Sequence, residues 1–323
     1  MSSEIMVQAN NITKFYGEYP AISNVSFTAK KGEIIGFLGP NGSGKTTTMR
    51  ILTGYMPASS GDATIAGYDV ANQSLEAKQH VGYLPENAPL YTDMKVTEYL
   101  TFTGKIRGMS KTAIRSRLDE IIEICRLEEY RNTIIGKLSK GFRQRVGIAQ
   151  AIIHQPDVLI LDEPTIGIDP IQVVETRSLI KEIGGDSTII LSSHILPEVS
   201  AICERVIIIN DGEIVAVDSP ENLSNRLEAT ERIRIEALGK TSDMVSVFRS
   251  NPSVQDVNFE TLSDGKIVFD VISKGGLEIR SELAKSIIDN GWSLYNLQAV
   301  SLSLEDIFLR LTTNEQEIHE ETK

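Results

Sequence analysis

Apolar and polar residues alternate over Asn24-Val25-Ser26-Phe27-Thr28, the period of a strand with one buried face. The run from Glu33 to Leu38 is instead almost continuously apolar and breaks at Gly39. That pattern predicts a strand covered on both faces that feeds a loop and then a helix. Further on the period changes: Ile114, Leu118, Ile121, Ile122 and Cys125 form the stripe of an amphipathic helix, so a helical insert is expected over about 94–140. Strand-like runs return at Val158–Leu161, Thr188–Leu191 and Val206–Ile209, separated by helix-compatible sequence. Residues 1–225 therefore read as one α/β domain with a mostly parallel sheet.

After Asp218-Ser219-Pro220 the pattern restarts. Ile233 and Ile235 alternate with Arg232, Arg234 and Glu236, followed by a helix through Met244–Arg249, strands near 254–260 and 266–272, a helix over Leu277–Asp289, a strand over Trp292–Val300 and a helix over Leu304–Leu311. This order predicts a small α+β, ferredoxin-like domain over 226–312. Residues 313–323 are polar and mainly acidic, a tail.

Two domains agree with a length of 323 residues. The net charge of -12 repels phosphate backbones, so no nucleic-acid partner is expected. Cys125 and Cys203 stand far apart among apolar neighbours, which suggests neither a disulfide framework nor a metal cluster and predicts buried free thiols. The N-terminal MSSEIMVQANN lacks the pattern of a secretory signal, and no apolar run reaches the roughly 18 residues a membrane span needs. The expected location is cytoplasmic, and any transport role calls for a second polypeptide.

The break at Gly39 opens a chemical motif. Gly39-Pro40-Asn41-Gly42-Ser43-Gly44-Lys45-Thr46 matches G-x-x-x-x-G-K-[ST] between a predicted strand and a predicted helix. Gly39, Gly42 and Gly44 let backbone N–H groups converge on phosphate oxygens, with Pro40, Asn41 and Ser43 completing the loop and the helix N-terminus aimed at the same anion. Lys45 would bridge the β- and γ-phosphates of ATP, Thr46 would coordinate Mg²⁺, and Thr47 would reach the α-phosphate. The second half of such a site is Val158-Leu-Ile-Leu-Asp162-Glu163, two acids at the carboxyl end of a buried strand. Asp162 is expected to hold Mg²⁺ through its water shell, and Glu163, pointing the other way, to polarise the attacking water.

Leu138-Ser139-Lys140-Gly141-Phe142, before a predicted helix and just upstream of those acids, resembles the signature motif of ABC ATPases, usually Leu-Ser-Gly-Gly-Gln. The resemblance implies the P-loop NTPase fold with the ABC-type helical insert. It also implies that Ser139, Lys140 and Gly141 contact the ATP held by a second copy of the chain, making a head-to-tail homodimer. Other positions match in order: Tyr16 resembles the adenine-stacking aromatic, His194 the switch histidine near the γ-phosphate, and Gly167-Ile-Asp169 the D-loop. Glu86, in Val81-Gly-Tyr-Leu-Pro-Glu86, stands where most relatives carry Gln, as an expected contact to nucleotide and metal. These variants, with the C-terminal domain and its closing Ser303–Leu311 segment, resemble the ATPase subunits of ABC-2 type exporters, and among them the gliding-motility-associated group. The implied partner is an integral membrane permease that would hold the chain on the inner face of the membrane. The alternative class is a soluble ABC ATPase acting on a ribosomal, DNA or regulatory partner.

Overall fold

A computed structural model describes residues 4–185, 187–223, 232–262, 265–274 and 277–300. The chain divides into two compact units between Pro220 and Glu221. In the first, the elements run β1 (Ile5–Tyr16), β2 (Tyr19–Lys30), β3 (Ile34–Leu38), α1 (Lys45–Leu52), β4 (Ser60–Ile65), β5 (Tyr68–Asp69), α2 (Ser74–Gln79), β6 (Val81–Leu84), α3 (Val96–Ile106), α4 (Lys111–Ile124), α5 (Lys140–Ile152), β7 (Val158–Asp162), α6 (Pro170–Gly184), β8 (Thr188–Ser193), α7 (Leu196–Ser200), β9 (Arg205–Asn210) and β10 (Glu213–Asp218).

The central sheet has the order β10-β9-β3-β8-β7-β6. All its pairs are parallel except the edge pair β9 with β10. Every residue of β3, β7 and β8 is buried, as continuous apolar runs flanked on both faces require. Register then aligns the strand ends: Phe37 and Leu38 lie beside Ser192 and Ser193, and Asp162 lies beside Ser192. The carboxyl edge of three neighbouring strands thus gathers the glycine loop, the paired acids and the residues before His194.

The alternating segment at 24–28 belongs to β2, which lies in a separate antiparallel sheet of order β2-β1-β4-β5 and not in the parallel one. Its inward residues Val7, Ala9, Ile12, Ile22, Val25 and Phe27 share one core with Phe37 and Met49. Phe27 and Phe37 pack at a ring-centroid separation of 5.4 Å. The insert is α3, α4 and the approach to α5, and the α4 stripe buries Ile114, Ile121 and Ile122. Both cysteines are buried free thiols. Burial pushes the Cys125 thiol up to about 12 and drives Cys203 upward as well.

The second unit contains β11 (Arg232–Leu238), α8 (Thr241–Ser250), β12 (Val254–Thr261), β13 (Ile267–Ser273), α9 (Arg280–Asp289) and β14 (Ser293–Val300). Its antiparallel sheet has the order β12-β13-β11-β14, that of a ferredoxin-like sandwich. Phe248 of α8 meets Phe269 of β13 edge to face at 5.1 Å, at the centre of a core that also holds Ile235, Val271 and Ile287. The helix expected over Leu304–Leu311 and the tail over 313–323 lie outside the described residues. Among the described residues, no helix is long and apolar enough to cross a membrane.

Candidate functional site

The loop after β3 can take its path only with glycine at defined places. A Cβ on Gly39 would lie 2.3 Å from the Ile209 carbonyl oxygen, and Gly44 holds φ +104° with its ideal Cβ 2.5 Å from Ile22. Gly44 caps the N-terminus of α1, and no side chain hydrogen-bonds into that cap. The first-turn N–H groups of α1 are therefore left for a ligand.

Lys45 folds back across the loop, donating to the carbonyl oxygens of Gly39 at 2.7 Å and Pro40 at 3.0 Å. Its ammonium also lies 3.5 Å from Glu163 Oε1, both side chains only 6% exposed. On the other side of that carboxylate, His194 Nδ1 is 3.0 Å from Glu163 Oε2. A carboxylate can only accept, so the proton of this contact sits on Nδ1. Strand alternation turns Asp162 away from Glu163. Asp162 Oδ1 accepts from the Ser192 hydroxyl at 2.6 Å, and the Glu163 N–H donates to the same Ser192 oxygen at 2.9 Å.

Glu163 itself adopts φ +49°. A left-handed backbone at a residue with a long side chain costs about 1–3 kcal/mol and persists where neighbours over-determine it. Two buried carboxylate oxygens here, Asp162 Oδ2 and Glu163 Oε1, have no hydrogen-bond partner. Burial, with the Asp162 charge as the second cause, pushes the Tyr83 hydroxyl up to about 12, so Tyr83 stays neutral beside the acids.

A cavity of about 270 Å³ opens on this cluster, lined by Ala21, Asn41, Gly42, Gly44, Lys45, Thr46, Thr47, Glu86, Glu163 and Ile166. Eight of the expected site residues, Asn41, Gly42, Gly44, Lys45, Thr46, Thr47, Glu86 and Glu163, therefore converge. Gly39, Pro40 and Ser43 support the loop beneath. Tyr16 ends β1 outside that lining, the residue 46% exposed and its hydroxyl 3.2 Å from Met56 Sδ. Ser139, Lys140 and Gly141 also lie outside it.

The signature segment starts α5. Ser139 is its N-cap, its hydroxyl oxygen accepting the Phe142 N–H at 3.3 Å. Phe142 puts a ring where a glutamine is usual, and that ring packs on Tyr130 at 4.1 Å with the Arg145 guanidinium 5.1 Å from its centroid. Buried Arg145 donates to Gln172 at 3.1 Å and also pairs with Glu175, tying α5 to α6. The intervening loop presses on the signature: Gly167 holds φ +66°, and a Cβ there would lie 2.3 Å from Lys140 Nζ. Asp169 caps α6 by accepting from the N–H groups of Ile171 and Gln172.

A second cavity of about 620 Å³ is lined by Tyr55, Tyr83, Tyr91, Tyr99, Phe102 and Arg107 among others. Tyr55 and Tyr91 are 73% and 53% exposed there.

Sequence reading did not single out Ser192, which touches both acids. The only signal was its place one residue before the serine that precedes His194.

Residues 22–166 match the family model described as ABC transporter. The chain is 34% identical over 310 residues to a linearmycin resistance ATP-binding protein of Bacillus subtilis, covering 95% of this chain and 98% of that one. It is 32% identical to a bacitracin transport ATP-binding protein of Bacillus licheniformis, covering 95% and 97%. Among solved structures it resembles a dimeric ATP-binding cassette in a post-hydrolysis state bound to ADP and Pi, with a TM-score of 0.61, 26% identity and coverage of 67% of this chain and 99% of that one.

Proposed function

This chain belongs to the family of ABC transporter ATP-binding proteins and is an ATPase of that type, and from this premise we propose how its residues act and on what. The observation that carries the reading is that Lys45 and Glu163 line one cavity with the glycine loop, while His194 contacts Glu163 from outside that lining. ATP binds with its β- and γ-phosphates on the loop N–H groups and Lys45, and with its α-phosphate near Thr47. Tyr16 offers its exposed ring to the adenine.

The donor set fits Mg²⁺. Thr46 supplies a hydroxyl, and Asp162 Oδ2 is a buried carboxylate oxygen with no partner. Thr46, Asp162 and Glu86 would hold the ion, partly through water, and it would neutralise charge on the phosphates. Glu163 orients and polarises the attacking water, and His194 holds that carboxylate from its far side while reaching toward the γ-phosphate. Ser139, Lys140 and Gly141 fall outside the chain's own cavity, which supports their use by a second copy whose ATP they would cover.

The finer reading is an exporter of the ABC-2 type. Two chains close on ATP and reopen after hydrolysis, and segment 86–91 passes the motion to a membrane permease seated in the aromatic-lined cavity of Tyr55, Tyr91 and Phe102. The names of the two relatives, one for linearmycin resistance and one for bacitracin transport, support export of an antimicrobial compound. Glu163→Gln tests the core of this: turnover should fall at least 100-fold while an ATP-dependent dimer accumulates in size-exclusion chromatography. Unchanged turnover with no such dimer would refute it.

A further inference from the structure

Glu198 is a carboxylate on α7, only 7% exposed, that the proposed chemistry does not use. A buried charge survives only when it is paired and hydrogen-bonded, and its partners are informative. Glu198 Oε2 accepts from the Thr165 hydroxyl at 2.5 Å and from the Ser193 hydroxyl at 3.2 Å. Its other oxygen lies 3.6 Å from Arg177 on α6. Ser193 Oγ in turn accepts the Ile195 N–H at 3.1 Å.

Thr165 stands two residues beyond Glu163, and Ser193 immediately precedes His194. One carboxylate therefore spans the exits of β7 and β8, the two strands that deliver the general base and the histidine that contacts it at 3.0 Å. Ser192, pointing to the opposite side of β8, fastens Asp162 and the Glu163 N–H. Glu163 thus receives its φ of +49° between two braces, one polar contact set on each side of β8. Neither Glu198, Thr165 nor Ser193 lines the 270 Å³ cavity.

We infer that Glu198 is a positioning residue for hydrolysis: by holding Thr165 and Ser193 together it fixes the mutual geometry of Glu163 and His194 without touching nucleotide. The inference rests on the ATPase reading above. It separates from a plain structural role through the two halves of the Glu198 contact set. Glu198→Gln can keep a carbonyl oxygen for both hydroxyls while setting a neutral NH2 in place of the oxygen opposite Arg177, whereas Glu198→Ala removes everything.

The test is steady-state Mg-ATP turnover of the full chain, with ADP affinity by calorimetry as the binding control. Glu198→Ala should lower kcat 10- to 100-fold while the KM for ATP and the Kd for ADP stay within threefold, and Glu198→Gln should return kcat to within threefold of the parent. Thr165→Val, close in shape and lacking only the hydroxyl, should lower kcat about tenfold, and combining it with Glu198→Ala should add little. Should Glu198→Ala not fold, Thr165→Val and Ser193→Ala carry the same prediction. Parental kcat in Thr165→Val, a loss confined to nucleotide affinity, or a Glu198→Gln variant as slow as Glu198→Ala would overturn the inference while leaving the ATPase reading intact. A parent chain that does not hydrolyse Mg-ATP would overturn both.

Discussion

Replacing Ser192 by Ala removes one hydroxyl at a fully buried position and breaks two contacts at once. Asp162 Oδ1 loses the donor now 2.6 Å away, and the Glu163 N–H loses its acceptor at 2.9 Å. Since Asp162 Oδ2 already has no hydrogen-bond partner, the substitution leaves the whole carboxylate without one while it stays 0% exposed. An orphaned buried amide costs about 1–3 kcal/mol, and a lost bond to a charged acceptor about 1.5–3 kcal/mol. Allowing for partial relaxation, the first unit should lose about 2–5 kcal/mol, which for a domain of this size lowers its Tm by roughly 5–15 °C. Calorimetry follows that transition, guanidinium unfolding should show a lower midpoint at unchanged m-value, and native-state hydrogen exchange should report faster exchange of the Glu163 amide. A loss below about 0.5 kcal/mol with unaltered exchange would show that Ser192 does not hold the paired acids as argued.

Three other perturbations test separate links. His154 donates through Nε2 to the Val81 carbonyl oxygen at 3.0 Å and has a buried, unpartnered Nδ1; burial first, and the Arg107 charge second, depress its pKa to about 4 from the ordinary 6.5. The unfolded chain then takes up the proton first, so stability is present above pH 6.5 and falls by on the order of 3 kcal/mol as pH drops from 6.5 to 4. Urea unfolding at several pH values should lose most of that slope in His154→Gln. Gly36→Ala would set a Cβ 2.0 Å from Val199 Cγ1 and 3.1 Å from Cys203 Sγ. The overpacking should cost about 1–3 kcal/mol and speed labelling of the Cys203 thiol, read by thermal melting and by reaction with a thiol reagent. Arg145→Ala, which frees α5 from Gln172 and Glu175, should lower ATP turnover about tenfold or more through the signature while ADP affinity stays put; equal losses in both would refute a role confined to the signature.

The parts of the fold legible in the sequence were those written in local patterns. The continuous apolar runs of β3, β7 and β8 announce strands covered on both faces, and the alternation at Ile233 and Ile235 announces β11. The strand order of the second unit followed from element order alone. By contrast, β1, β4 and β5 went unassigned, because sheet membership is decided by pairing between segments far apart, such as Val7 with Ile65. In the site, Lys45, Asp162 and Glu163 could be picked out because a phosphate needs a glycine loop and hard oxygen ligands at fixed spacing. Ser192 and Glu198 could not, since a serine or glutamate gains meaning only from the groups it meets, and those come from other strands and helices. The Phe142 platform for Arg145 was likewise invisible, as the sequence shows only that glutamine has been replaced.

The contact between Lys45 and Glu163 makes the site an interlock. The ammonium proposed to grip the phosphate and the carboxylate proposed to activate water lie 3.5 Å apart. If the two residues act as proposed, a phosphoryl oxygen that drew the ammonium would also free the carboxylate, tying the arming of the base to the presence of a bond for it to break.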